Sequence, residues 1–91
     1  MEWDPSKDAS NRLKHGVDFH EAASAFEDER GMVIADPDHS QAEDRFVLLG
    51  VGMHARLLVV VHCWRRSDRV IRIISARRAS AEEARQYLRR R

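Results

Sequence analysis

Residues 45–76 read RFVLLGVGM-HAR-LLVVVHCWR-RSD-RVIRIISA: three apolar, β-branched segments (45–53, 57–65 and 69–76) joined by His54-Ala55-Arg56 and Arg66-Ser67-Asp68. Such composition favours strands, and connectors this short hold hairpins. Consecutive strands on short connectors must run antiparallel. A fourth strand candidate, Met32-Val33-Ile34-Ala35, precedes them and ends at the turn-rich run Asp36-Pro37-Asp38-His39-Ser40.

Helical signals flank this block on both sides. Asp4 followed by Pro5 is a helix opening, because Asp accepts from free N–H groups and Pro is tolerated in the first turn. That helix should run to about His15 and stop at Gly16, a left-handed terminator. Asp18 begins a second helix, with Glu21 at capping-box spacing and Phe19, Ala22, Ala23 and Phe26 on one face. Ser80 with Glu83 repeats the box and opens a last helix through Ala84, Tyr87 and Leu88. The expected fold is α+β: two N-terminal helices, a four-stranded antiparallel meander sheet and a C-terminal helix, in one domain over 1–91.

Composition bounds the rest. With 43% hydrophobic and 34% charged residues the chain reads as globular. Its longest apolar run, Leu57 to Val61, is too short for a membrane span, and no secretory signal opens it. A single cysteine, Cys63, cannot form an internal disulfide, and the expected compartment is cytoplasmic. Asp36, Asp38 and His39 suggest metal ligands at first sight, but their context is that of a turn and no second cluster completes a site. No metal or cofactor is expected.

Charge is divided sharply. Residues 1–44 hold 12 Asp/Glu against 4 Lys/Arg, whereas residues 45–91 hold 3 against 12, and all 12 of those cations are arginine. Arginine grips phosphate in a planar, two-pronged way, so an anionic ligand such as RNA is the first suspect and an acidic protein surface the second. Simple alternation puts Val70, Arg72, Ile74 and Ala76 on one face of the last strand. Arg72 then sits between isoleucines, which is costly unless it is paired or opens onto a wet cleft.

The pattern also carries a resemblance. Glu2-Trp3-Asp4-Pro5 with Lys7, Asn11 with Lys14-His15-Gly16-Val17 and Phe19, Glu43 and Arg45, Gly50, Leu58-Val59-Val60-Val61, and Arg72-Ile73-Ile74-Ser75-Ala76-Arg77 followed by Ala79, Glu83 and Tyr87 resemble the BrnT family. Those are toxins of type II toxin–antitoxin systems. The resemblance implies a RelE-like fold, ribonuclease activity that arrests translation, and a small BrnA-like antitoxin that neutralises the toxin. It also implies a heterotetramer or higher complex, with DNA contacted only through the antitoxin. His62-Cys63-Trp64-Arg65 is less like the family, where a hydroxyl residue and Glu are commoner.

Metal-independent RNA cleavage requires the 2′-OH to be deprotonated, the pentavalent phosphate to be neutralised and the 5′-oxygen to be protonated. Arginine suits the second task and histidine either proton transfer. The candidate catalytic residues are Arg72, Arg77, Arg45, His15 and Lys14, with Arg78, Arg85 and Tyr87 as RNA-binding residues. Each has a plainer alternative. Strand arginines pair with acids, Lys14 and His15 suit a helix C-terminus, and Tyr87 fits a core edge. His62, Cys63 and Trp64 cannot form a Cys–His nucleophile, because neighbours in a strand point to opposite faces.

Two other readings stand beside the nuclease. One is a non-catalytic binding module that docks an acidic partner or RNA through its arginine-rich sheet, and a homodimer would also cover apolar sheet surface. The other is a DNA-binding repressor, which the acidic first two helices disfavour.

Overall fold

The computed structural model describes residues 1–36, 45–67 and 69–90. Helix α1 (Pro5–His15) and helix α2 (Phe19–Ser24), extended by a 3₁₀ turn (Ala25–Glu27), precede strands β1 (Met32–Ala35), β2 (Arg45–Val51), β3 (Leu57–Arg65) and β4 (Val70–Arg78). Helix α3 (Ala81–Arg89) ends the order. The four strands form one antiparallel sheet in the order β1-β2-β3-β4, the expected meander. The turn run from Pro37 onward, Glu43, Asp68 and the terminal Arg91 lie outside the described residues.

Local chemistry starts and stops the helices. Asp4 accepts from the Ser6 N–H at 2.9 Å, and Gly16 ends α1 at φ 70, a left-handed backbone suited to glycine. Asp18 accepts from the Glu21 N–H at 2.8 Å, but only half of the expected box forms. The Glu21 side chain turns inward instead, buried, and takes two hydrogen bonds from Arg56 in the β2–β3 loop. Arg56 also donates to the Gly16 carbonyl at 2.9 Å, fastening that loop to the α1–α2 corner. At Ser80 the full box with Glu83 is present.

The core lies between one face of the sheet and the first two helices. Phe19, Val17, Ala22 and Ala25 meet Leu48, Leu58, Val60, Ile73 and Ala76, with Trp3 and Phe26 packed around them. Gly50 is needed for this approach, since a Cβ there would stand 2.9 Å from the Ala25 carbonyl oxygen. His62 is buried among these groups, between Phe26 and Phe46, and burial pushes its imidazole pKa down.

Simple alternation fails in β4. The ladder slips between Val61 and His62, so His62 faces Ile73 while Val61 faces Ser75, and Ile74 is the extra residue. Arg72 therefore shares the outer face with Ser75 and Arg77, and Ala76 joins Ile73 in the core instead of lying beside Arg72. The outer face carries α3 at one corner. Below it is a small apolar groove lined by Met32, Ile34, Val47, Leu49 and Val59, with Glu83 and Gln86 from the helix.

Candidate ribonuclease site

On α1, Lys7, Ser10, Asn11 and Lys14 recur at i, i+3, i+4 and i+7, which puts them on one side of the helix. That side faces strand β4. Asn11 is buried and holds the two elements together: its amide donates to the Val17 carbonyl at 2.8 Å and the Ala76 carbonyl at 2.7 Å, and accepts from the Ala76 N–H at 3.1 Å. Around it opens a cleft of about 200 Å³ lined by Lys7, Ser10, Asn11, Lys14, His15, Ile74 and Ser75. The ammonium of Lys14 and the imidazole of His15 are exposed at its rim and have no ion-pair partner among the described residues. Both also stand in the last turn of α1, where the helix dipole favours cations. The dipole accounts for their charge but not for the cleft beside them.

Lys7, Ser10 and Ser75 completed this cleft without being singled out as site residues from the sequence. The α1 spacing was the available signal. The β4 contribution depends on the bulge, which the sequence does not announce.

The sheet arginines are distributed differently from a single shared pocket. Arg45, Cys63 and Arg72 stand opposite one another across three strands of the outer face, so Arg45 and Arg72 lie ~10 Å apart in backbone. Arg72 donates to Glu2 at 3.0 Å, and the other oxygen of that carboxylate meets Arg66 at 3.1 Å. The Arg72 hydrogen bond, with the nearby arginine charges, holds the Glu2 carboxyl below its ordinary pKa. Arg77, on the far side of Ser75 from Arg72, forms a two-pronged pair with Glu83 of α3 at 2.9 and 2.8 Å. Its hydrogen bonds bring the Glu83 pKa down to about 2.

The remaining candidates are dispersed. Arg78 ends β4 opposite Leu58 and is exposed. Arg85 pairs with Glu82 on the exposed side of α3. Tyr87 is half-buried and donates its hydroxyl to Asp28 at 2.6 Å, which raises the phenol pKa. Burial works to raise the Asp28 pKa, but hydrogen bonds from Tyr87, Val51 and Arg30 outweigh it and leave it low. Tyr87 thus ties α3 to the body of the domain rather than presenting a ring to solvent. The charge division seen in the sequence has a partly internal explanation as well. Glu2 and Glu21 of the acidic half neutralise Arg66, Arg72 and Arg56 of the basic half.

No group of three or more His, Cys, Asp or Glu arranged to hold a metal occurs among the described residues. No helix among them is long and apolar enough to cross a membrane.

Comparison with known proteins gives this geometry a context. The profile of the family "Ribonuclease toxin, BrnT, of type II toxin-antitoxin system" matches residues 3–83. The crystal structure of the Brucella abortus ribonuclease toxin BrnT is similar in fold, with a TM-score of 0.65 and 23% identity over 88% of this chain and 95% of that one. No curated protein sequence matches. The three-helix, four-strand arrangement and the family match over nearly the whole length agree, and the chain belongs to the BrnT family of ribonuclease toxins of type II toxin–antitoxin systems.

Proposed function

We propose that the chain cleaves RNA without a metal ion in the α1–β4 cleft, by attack of a ribose 2′-OH on the adjacent phosphate. The observation that carries this reading is the cleft, where lysine, histidine and two serine hydroxyls converge on one concave surface. His15 transfers the proton and Lys14 neutralises the phosphorane oxygens, with Lys7 a second cation and Ser10 and Ser75 as hydrogen-bonding groups. Arg72 and Arg77 stand to either side of Ser75 along β4 and supply further charge when they exchange Glu2 and Glu83 for phosphate. Arg45 extends that positive row across the sheet. The cell-level consequence is arrest of translation in the cytoplasm, relieved by a BrnA-like antitoxin through which any DNA is contacted.

The chemistry leaves a diagnostic product, a 2′,3′-cyclic phosphate beside a free 5′-hydroxyl. Purified chain should therefore cut RNA in EDTA and leave those ends. His15→Ala should lower the rate by about 10²-fold or more with the melting temperature unchanged. Loss of cutting in EDTA, or native rates in both His15→Ala and Lys14→Ala, would sink this mechanism.

The apolar groove under α3 and the arginines of the outer face favour a second reading for that face alone. It would dock a partner carrying apolar and acidic side chains, as a neutralising antitoxin should. Cutting that persists when the outer face is mutated would separate the two surfaces.

A further inference from the structure

The N-terminal segment does something unusual at the start of β4. The Glu2 N–H donates to the Ile71 carbonyl at 2.9 Å, and the Glu2 carbonyl accepts from the Ile73 N–H at 3.0 Å, so one residue lies alongside the strand in parallel. This pins the backbone and aims the side chain. Its two carboxylate oxygens each take a different guanidinium, Arg72 at 3.0 Å and Arg66 at 3.1 Å. An anion held between two arginines that converge from a strand and its hairpin is the arrangement in which proteins bind a phosphate. Arg66 reaches the carboxylate from a left-handed backbone, φ 53, followed by Ser67 at φ 59, conformations that non-glycine residues adopt at a cost. Its head is 69% exposed, open to solvent beside the Glu2 oxygen it contacts.

We propose that Arg66 and Arg72 form a phosphate-binding clamp for single-stranded RNA and that Glu2 is its built-in competitor, seated in the clamp until a backbone phosphate displaces it. The assignment rests on the ribonuclease reading for its choice of ligand, because the clamp and the cleft lie on the same strand, three residues apart at Arg72 and Ser75. A phosphate seated in the clamp would be a neighbour of the scissile one, so the clamp sets register and strand direction in addition to the charge that Arg72 supplies. Glu2 stays tethered through its backbone, which gives its carboxylate a high local concentration. Weak or isolated phosphates should therefore lose to it, whereas a polynucleotide anchored elsewhere should win.

The test is affinity, measured apart from cutting. The full-length chain is titrated with a labelled single-stranded RNA whose 2′-O-methyl groups block cleavage, over a range of salt. Glu2→Gln should bind about tenfold tighter than the wild type, and its log K against log salt should steepen by ~0.7 for each added phosphate contact. Glu29→Gln removes an exposed carboxylate elsewhere on the surface and should give only the small general effect of one less negative charge. Arg66→Ala should weaken binding in the wild type and abolish the gain in Glu2→Gln, and an unchanged melting temperature checks that this exposed substitution leaves the fold intact. An affinity for Glu2→Gln no greater than for Glu29→Gln would overturn the clamp, as would a gain that survives Arg66→Ala. A gain seen with a poly-glutamate peptide but not with RNA would overturn it in favour of an acidic protein ligand. Cutting of unmodified RNA is scored separately. The expected binding pattern without any cutting supports the clamp and sinks the nuclease mechanism, while cutting with unaltered affinity in Glu2→Gln sinks the clamp alone.

Discussion

The two edges of the sheet are finished in opposite ways. Along β4 four outward backbone groups are taken up within the chain: Glu2 serves the Ile71 carbonyl and the Ile73 N–H, and the Asn11 amide serves the N–H and carbonyl of Ala76. Along β1 the four residues Met32–Ala35 carry no charge, Val33 and Ile34 are 53% and 54% exposed, and no strand pairs with the outer edge among the described residues. An edge whose hydrogen bonds are already used cannot recruit another strand, so polar side chains can gather there for a ligand. A bare apolar edge is open to strand addition. In this molecule the cleft and the Glu2 carboxylate both belong to the finished edge.

The strongest way to break that contrast is to unfinish β4. Asn11→Ala removes three hydrogen bonds at once and leaves the buried Ala76 N–H and carbonyl without partners. Each stranded group costs ~1–3 kcal/mol, so the variant should lose about 3–4 kcal/mol and melt roughly 15 °C lower. A loss under ~1 kcal/mol would mean that water replaces the amide and that the edge is less closed than it looks.

A smaller test asks how far the finished region extends onto α3. Glu83 is held at about 2 by Arg77, below the ordinary carboxylate value of 4.5. A carboxyl whose pKa is depressed by folding stabilises the fold fully above its unfolded value, and that stabilisation is lost as pH falls toward the folded one. The pair should thus contribute ~1–2 kcal/mol at neutral pH, after allowance for its partly exposed guanidinium, and fade between pH 4.5 and about 2. Melts of the wild type and Glu83→Gln should differ at pH 7 and converge near the acid limit. Parallel curves over the whole range would show that the pair does not anchor α3.

How much of this was legible in sequence follows distance along the chain. The caps at Asp4, Asp18 and Ser80, the stop at Gly16 and the hairpins all depend on residues a few positions apart, and each was readable. Arg72 was recognisable as a charge in need of a partner, but Glu2 lies 70 residues away. The same holds for Asn11 with Ala76 and Tyr87 with Asp28, separated by 65 and 59 residues. Glu21 shows the converse error, in which a locally sensible capping box loses to a half-buried ion pair 35 residues off. The β4 bulge hid the cleft for a different reason. One unpaired residue, Ile74, changes which side every later β4 residue faces, and counting by twos cannot detect it.

The mildest intervention is at the bare edge itself. Ile34 is half exposed and touches the groove below α3, so Ile34→Lys should change the monomer's stability by under ~0.5 kcal/mol. Its effect should appear in association instead, because a charge on an edge strand opposes pairing with another chain. Sedimentation of the wild type across a concentration series should show self-association or antitoxin capture that the lysine variant weakens. A loss of several degrees in the lysine variant's melt would mean that β1 is packed in solution. Unchanged association would assign partner docking to some other surface, and the finished edge with its arginines would be the next to test.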